Sequence, residues 1–258
     1  MNSVATVPAT LITIRLSHYC EKARWALDRA SLPYREEPHV PLLSRFVARR
    51  AAGGTVPVLI DGDLRLTEST DILRHVDSLH PGMLYPLEAG LRTEVESLES
   101  RFDQDLGTHV RRWAYAHLLP EKALLRELWS RGVPKREALW MPLILPVARK
   151  LLRRAYKVTP AGAGRSGERI RAVFAEVDAR LKDGRRFLAG DRFSAADMTF
   201  AALAAPAVFA PECRAVMPTL DQVPGAMRND VMSLRATGAG QFALRLYATE
   251  RGVTRSAG

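Results

Sequence analysis

The chain has 258 residues, 47% of them hydrophobic and 26% charged, a balance ordinary for a soluble globular protein with a full core. Its two cysteines are too few for a disulfide framework and stand without metal-ligand company, so a reducing, cytoplasmic setting and no metal site are expected. No secretion signal is evident, no apolar run reaches the roughly 18 residues that span a bilayer, and the net charge of +10 comes without a nucleic-acid recognition motif.

Leu11 to Leu16 alternates and is β-branched, which predicts a strand. Ser17-His18-Tyr19-Cys20 follows, and then Glu21 to Ala30 spaces Ala23, Ala26, Leu27 and Ala30 for one helix face. A serine and a cysteine therefore sit where a strand delivers the chain into a helix N-terminus. Free N–H groups and the positive end of the helix dipole point outward there, which favours a thiolate. Tyr34 to Val40 reads as a weak second strand, and Arg45 to Ala52 as a helix stopped by Gly53-Gly54. Val56 to Ile60, the turn Asp61-Gly62-Asp63 and Leu64 to Leu66 read as a β-hairpin. Thr67-Glu68-Ser69 opens another helix, which runs through Leu79 to His80-Pro81-Gly82. The order βαβαββα describes a small α/β layer over residues 1–88.

From Gly90 onward strand signals almost vanish, and helical spacing over 91–106, 110–130, 168–182 and 195–210 predicts an all-helical second domain over 89–258. Pro160 to Gly167 reads as a mobile loop. Ser194 and Asp197, with Phe193 and Met198 around them, predict a capped helix start. Charge divides at the same boundary. Residues 1–88 carry 10 basic and 10 acidic side chains, and 89–258 carry 28 against 18. Eight basic residues against Glu137 lie in 131–157 alone, within a basic insertion placed at about 131–167.

Four features of this ordering resemble the glutathione transferase superfamily, whose members join a thioredoxin-like domain to a helical one. Ser17 to Cys20 stands where that family has its catalytic turn. Thr55-Val56-Pro57 is similar to its cis-proline segment, and Leu66-Thr67-Glu68-Ser69 to its element for the γ-glutamyl end of glutathione. Phe187 through Asp197 resembles the cap of its buried helix. The proline inside a strand run agrees, because a trans-proline is a misfit in a ladder and a cis Val56–Pro57 bond would let Val56 offer its main chain to a ligand.

The resemblance implies a glutathione-dependent enzyme that attacks a hydrophobic electrophile or a peroxide, with glutathione as co-substrate and a homodimeric state. Ser17, as in Ser-type members resembling the theta class, would hold the glutathione thiolate; Val56, Pro57, Glu68 and Ser69 would bind the rest of the tripeptide. Cys20 is the alternative catalytic residue, for a thiol-disulfide oxidoreductase, although one helical turn inward a packed thiol is the plainer role. His39, Arg45, Arg49 and Arg50 are candidate cations for the glycine carboxylate. Trp113, Tyr115, Trp129 and Trp140 are candidates for the second-substrate wall. His18 reads as an exposed turn residue ahead of an assisting acid/base, and Tyr19 as either stacking on substrate or packing against the second domain. Ser194 and Asp197 read as structural. The apolar stretch 138–148 with its basic flanks reads first as a helix-pair insertion lining the pocket. The other reading is a membrane-surface element in which Arg153, Arg154 and Lys157 meet anionic lipid. A non-catalytic binding module on the same fold is the third functional class.

Overall fold

A computed structural model of the chain describes residues 8–51 and 53–252. Its N-terminal part is a four-stranded sheet in the order β2-β1-β3-β4. The strands are β1 (Ala9–Thr13), β2 (Tyr34–Pro38), β3 (Val58–Asp61) and β4 (Leu64–Leu66). Strand β1 runs parallel to β2 and antiparallel to β3, with Ile12 opposite Val58, and β3 turns antiparallel into β4. Gly62, at φ +55°, permits that tight turn. Helices α1 (His18–Arg29), α2 (Leu43–Ala51) and α3 (Ser69–Leu79) complete a thioredoxin-like layer. The predicted end of α2 at Ala52 lies outside the described residues. The charged β2 forms because Glu36 is neutralised, pairing with Arg24 at 2.8 Å and Arg15 at 2.7 Å.

Beyond α3 the described residues form helices and the loops between them, with no further strand among them. Helix α4 (Ala89–Phe102) passes through one π-helical turn, Asp103–Gly107, into α5 (Thr108–Leu118). Then come α6 (Lys122–Ser130), α7 (Lys135–Ala155), α8 (Pro160–Leu181), α9 (Ala195–Val208), α10 (Gly225–Arg235) and α11 (Gly238–Glu250). Helix α9 is buried on every side, which agrees with its lack of a polar face. Its start is closed as expected: Asp197 accepts from the N–H groups of Leu188 (2.8 Å) and Ser194 (2.9 Å). Helix α1 packs against α3 and α9 and is tied to the end of α11. Arg251 reaches Glu21 at 2.8 Å, and Arg29 reaches Glu250 at 3.2 Å.

Three expectations are corrected. Residues 160–167 are the first turns of α8, because the Thr159 hydroxyl accepts from the Gly162 N–H at 3.0 Å and Pro160 takes the first helical turn, where its missing N–H costs nothing. Gly162 is needed there, since a Cβ would lie 2.8 Å from the Lys157 carbonyl oxygen. The segment 110–130 is two helices, α5 and α6, broken at Leu119-Pro120-Glu121. The stretch 138–148, expected to line the pocket, is helical within α7 but contributes nothing to the cavity lining. Helices α10 and α11 fall within the expected helical region, beyond the last segment that helical spacing marked out.

Candidate active site

The first residue of α1 is prepared by its cap. Ser17 is extended (φ −74°, ψ 121°), and its hydroxyl oxygen accepts from the Cys20 N–H at 3.3 Å while keeping a proton to donate. Ser17, His18 and Tyr19 open into a cavity between the two halves of the chain. Thr55 and Val56 form its edge just before the Val56–Pro57 peptide, which is cis. Val56 stands outside the β3 ladder, whose first paired residue is Val58. Pro57 itself is buried behind it.

The cavity's far wall comes from the helical half. Arg111, Ala114, Tyr115 and Leu118 line it from one face of α5, at spacings of three, four and seven. Leu152 and Tyr156 at the end of α7 and Phe209 after α9 extend an apolar surface. The Tyr115 and Tyr156 rings stack at 5.5 Å. Of the four aromatic wall candidates, only Tyr115 is there. Trp113 and Trp129 are buried in the core, the former donating to Asp230 at 3.0 Å, and Trp140 is 58% exposed.

Arg111 is the polar group that the sequence reading missed. Its guanidinium lies 4.4 Å from the Tyr156 ring centre and 5.5 Å from that of Tyr19, and its Nε is buried without a partner among the described residues. The even spacing of 111, 114, 115 and 118 was legible as a helix face; nothing in the sequence said that the face meets the catalytic turn.

His18 is corrected from exposed to buried. Its Nε2 lies 3.1 Å from the Gly107 carbonyl, so the neutral ring carries its proton on Nε2 and donates it there. Burial, and then the positive charge of Arg111, lower its pKa to about 3. Tyr19 packs against the helical half, donating its hydroxyl to the Asp103 carbonyl at 3.1 Å, and it also lines the cavity. Burial pushes that phenol well above its usual range, keeping it neutral. Cys20 is fully buried, and desolvation raises its thiol despite nearby Arg24 and Ser17. A thiolate on Cys20 is therefore disfavoured, and the packed role fits.

Glu68 and Ser69 lie outside the cavity lining, at the start of α3. Glu68 is the N-cap residue, yet its carboxylate makes no capping bond. Partial desolvation, followed by the negative charges of Asp71 and Asp103, holds its pKa above the ordinary value. The α3 start is fixed to α1 through buried Lys22, which reaches Thr70 (3.0 Å), Asp103 (2.9 Å) and Glu99 (2.8 Å). Asp103 Oδ1 is buried without a partner among the described residues. The corner thus carries two carboxylates, suited to an ammonium group. Among the cation candidates, His39 is engaged by Glu137 at 2.6 Å and Glu37 at 3.3 Å. Arg45 is exposed and lines the cavity, whereas Arg49 and Arg50 are exposed outside its lining.

Two family models match the chain: "Glutathione S-transferase, N-terminal domain" over residues 11–83 and "Glutathione S-transferase, C-terminal domain" over 160–228. Solved structures share the fold. The β-etherase LigF from Sphingobium sp. strain SYK-6 superposes with a TM-score of 0.61 at 17% identity, covering 93% of this chain and 99% of that one. A possible glutathione S-transferase from Rhodopseudomonas palustris gives 0.58 at 16% identity, over 96% and 97%. Ure2p5 from Phanerochaete chrysosporium, cocrystallised with 1-(S-glutathionyl)-2,4-dinitrobenzene, gives 0.56 at 17%, over 95% and 96%. Among curated proteins, none matches this chain significantly.

Proposed function

This chain belongs to the glutathione transferase superfamily, and on that footing we propose that it transfers the glutathione thiolate onto a hydrophobic electrophile, with Ser17 as the residue that holds the sulfur. The observation that carries this reading is the Ser17 hydroxyl, which faces an apolar cavity at the positive end of α1 while the neighbouring Cys20 is sealed in the core. The thiol proton leaves to solvent, and the Ser17 hydroxyl, keeping its own proton, donates a hydrogen bond to the resulting thiolate; the sulfur lone pair then forms a bond to the electrophilic carbon as the leaving group departs with its electrons. A hydrogen bond that strengthens as charge gathers on sulfur lowers the thiol pKa and so raises the fraction of glutathione present as the nucleophilic thiolate.

The remaining groups fit a tripeptide with one ammonium, two carboxylates and a thiol. Glu68, backed by the unpartnered Asp103 oxygen, takes the ammonium. Ser69 and the α3 N-terminus take the adjoining carboxylate, and Val56 pairs main chain to main chain. Arg45 is the cation that reaches the cavity for the glycine carboxylate. Arg111, whose Nε has no partner among the described residues, adds positive potential where the thiolate forms. Leu118, Leu152, Tyr156 and Phe209 offer the electrophile an apolar seat.

Retention on immobilised glutathione, followed by turnover of an activated aryl halide, tests this reading. Ser17→Ala should lower kcat/KM by about 10²-fold, the effect of removing one preorganised donor from a developing anion. Full activity in that variant would refute the role of Ser17.

A further inference from the structure

Helix α7 has a second face with no partner among the described residues. One side is buried, through Glu137, Met141, Leu145 and Ala148, and the same side brings Leu152 to the cavity. The other side presents Leu139, Leu143, Val147 and Leu151 at intervals of four, with Trp140 beside them. Their exposures are 79%, 65%, 52%, 44% and 58% in that order. Five of the ten exposed large hydrophobic side chains among the described residues therefore lie on this helix, a stripe and not the single scatter of an ordinary surface.

Its charge is one-sided. Lys135 and Arg136 are exposed at one end of the stripe, and Lys150, Arg153 and Arg154 at the other. The only acid of the helix, Glu137, is turned inward, where it accepts from His39 Nδ1 at 2.6 Å and the Val40 N–H at 3.0 Å. A two-fold copy seated on this face would bring cationic ends against cationic ends, which argues against self-association. An apolar stripe between basic ends matches instead a hydrocarbon boundary beneath anionic headgroups, with Trp140 at the level such rings favour. No helix among the described residues is long and apolar enough to cross a membrane, so α7 would lie in the interface plane.

We propose that the outward face of α7 docks the protein on an anionic membrane surface. The docked helix stands between the lipid and the cavity wall formed by Leu152 and Tyr156, about one helix diameter (~10 Å) away. The substrate class is then an electrophile dissolved in the bilayer; this last clause rests on the reading of the cavity given above.

Trp140 reports directly, because Trp25, Trp113 and Trp129 are at most 3% exposed. Mixed phosphatidylglycerol–phosphatidylcholine vesicles should blue-shift its emission and carry the protein down on sedimentation. Pure phosphatidylcholine should bind it at least tenfold more weakly, as should high salt. Leu143→Glu/Val147→Glu and Arg153→Glu/Arg154→Glu should each abolish sedimentation, with urea unfolding and soluble aryl-halide turnover unchanged. Absence of vesicle binding, binding untouched by Leu143→Glu/Val147→Glu, or shielding of Trp140 by concentration-dependent self-association without lipid would each overturn the proposal. Vesicle binding by a protein that fails to bind glutathione would support the docking face and refute the proposed catalytic function separately.

Discussion

His18→Gln isolates the electrostatic cost of the buried turn. On folding, the imidazole moves from its ordinary pKa of 6.5 to about 3, because burial and Arg111 oppose its charge. The unfolded chain therefore binds a proton that the folded chain refuses. His18's contribution is complete above pH 6.5 and is lost as pH falls from 6.5 toward 3. The full loss corresponds to about 5 kcal/mol, and the part between pH 7 and pH 5 to about 2 kcal/mol. Gln keeps a donor near the Gly107 carbonyl but cannot titrate. Asp197 works the other way, since burial lifts its carboxyl to about 6 and its ionisation disfavours the folded state as pH rises past 3.8. Wild-type stability alone would mix the two, whereas the difference between wild type and variant leaves His18. Urea unfolding at pH 7, 6 and 5 should show that difference shrink by about 2 kcal/mol toward pH 5. Parallel pH profiles would refute the buried, neutral imidazole.

Other perturbations separate the remaining roles. Cys20 should resist alkylation by iodoacetamide at pH 7 in the folded protein and react after denaturation, as mass spectrometry would show, and Cys20→Ser should keep its conjugating activity; rapid labelling of the native thiol would restore it as a reactive group. Gly107→Ala places a methyl group against the Tyr19 hydroxyl and 3.1 Å from Leu203, which should cost about 1–3 kcal/mol in urea unfolding and lower kcat/KM by displacing Tyr19. Glu137→Ala strands His39 and the Val40 N–H and loosens α7 from the N-terminal half; unfolding should show a loss of about 3–5 kcal/mol, and an unchanged midpoint would remove Glu137 as the anchor.

Local chemistry was legible wherever it decided the structure. The strand before Ser17, the hairpin around Gly62, the cis bond at Pro57 and the box at Ser194 and Asp197 each depend on residues within a few positions of one another. The failures have longer reach. Gly162 and Gly164 suggest a loop until Thr159 is seen capping and Lys157 crowding the same turn. His18 looks exposed because the carbonyl that receives it belongs to Gly107, 89 positions away. Arg111 had no motif, since its meaning comes from α5 packing over the turn. The pocket wall expected from 138–148 comes instead from residues farther along, Leu152 and Tyr156, while Pro142 and Pro146 lie on the exposed side of α7.

The central claim is that Ser17 stabilises a thiolate that belongs to glutathione, and the pKa of the bound thiol tests it most directly. Thiolate absorbance in the ultraviolet, titrated with glutathione bound, should place that pKa below 7 in the wild type. In Ser17→Ala it should rise by about 1–2 units with glutathione still bound, the worth of one hydrogen bond to a charged acceptor. An equal thiol pKa in the two proteins, or no glutathione binding in either, would contradict the account.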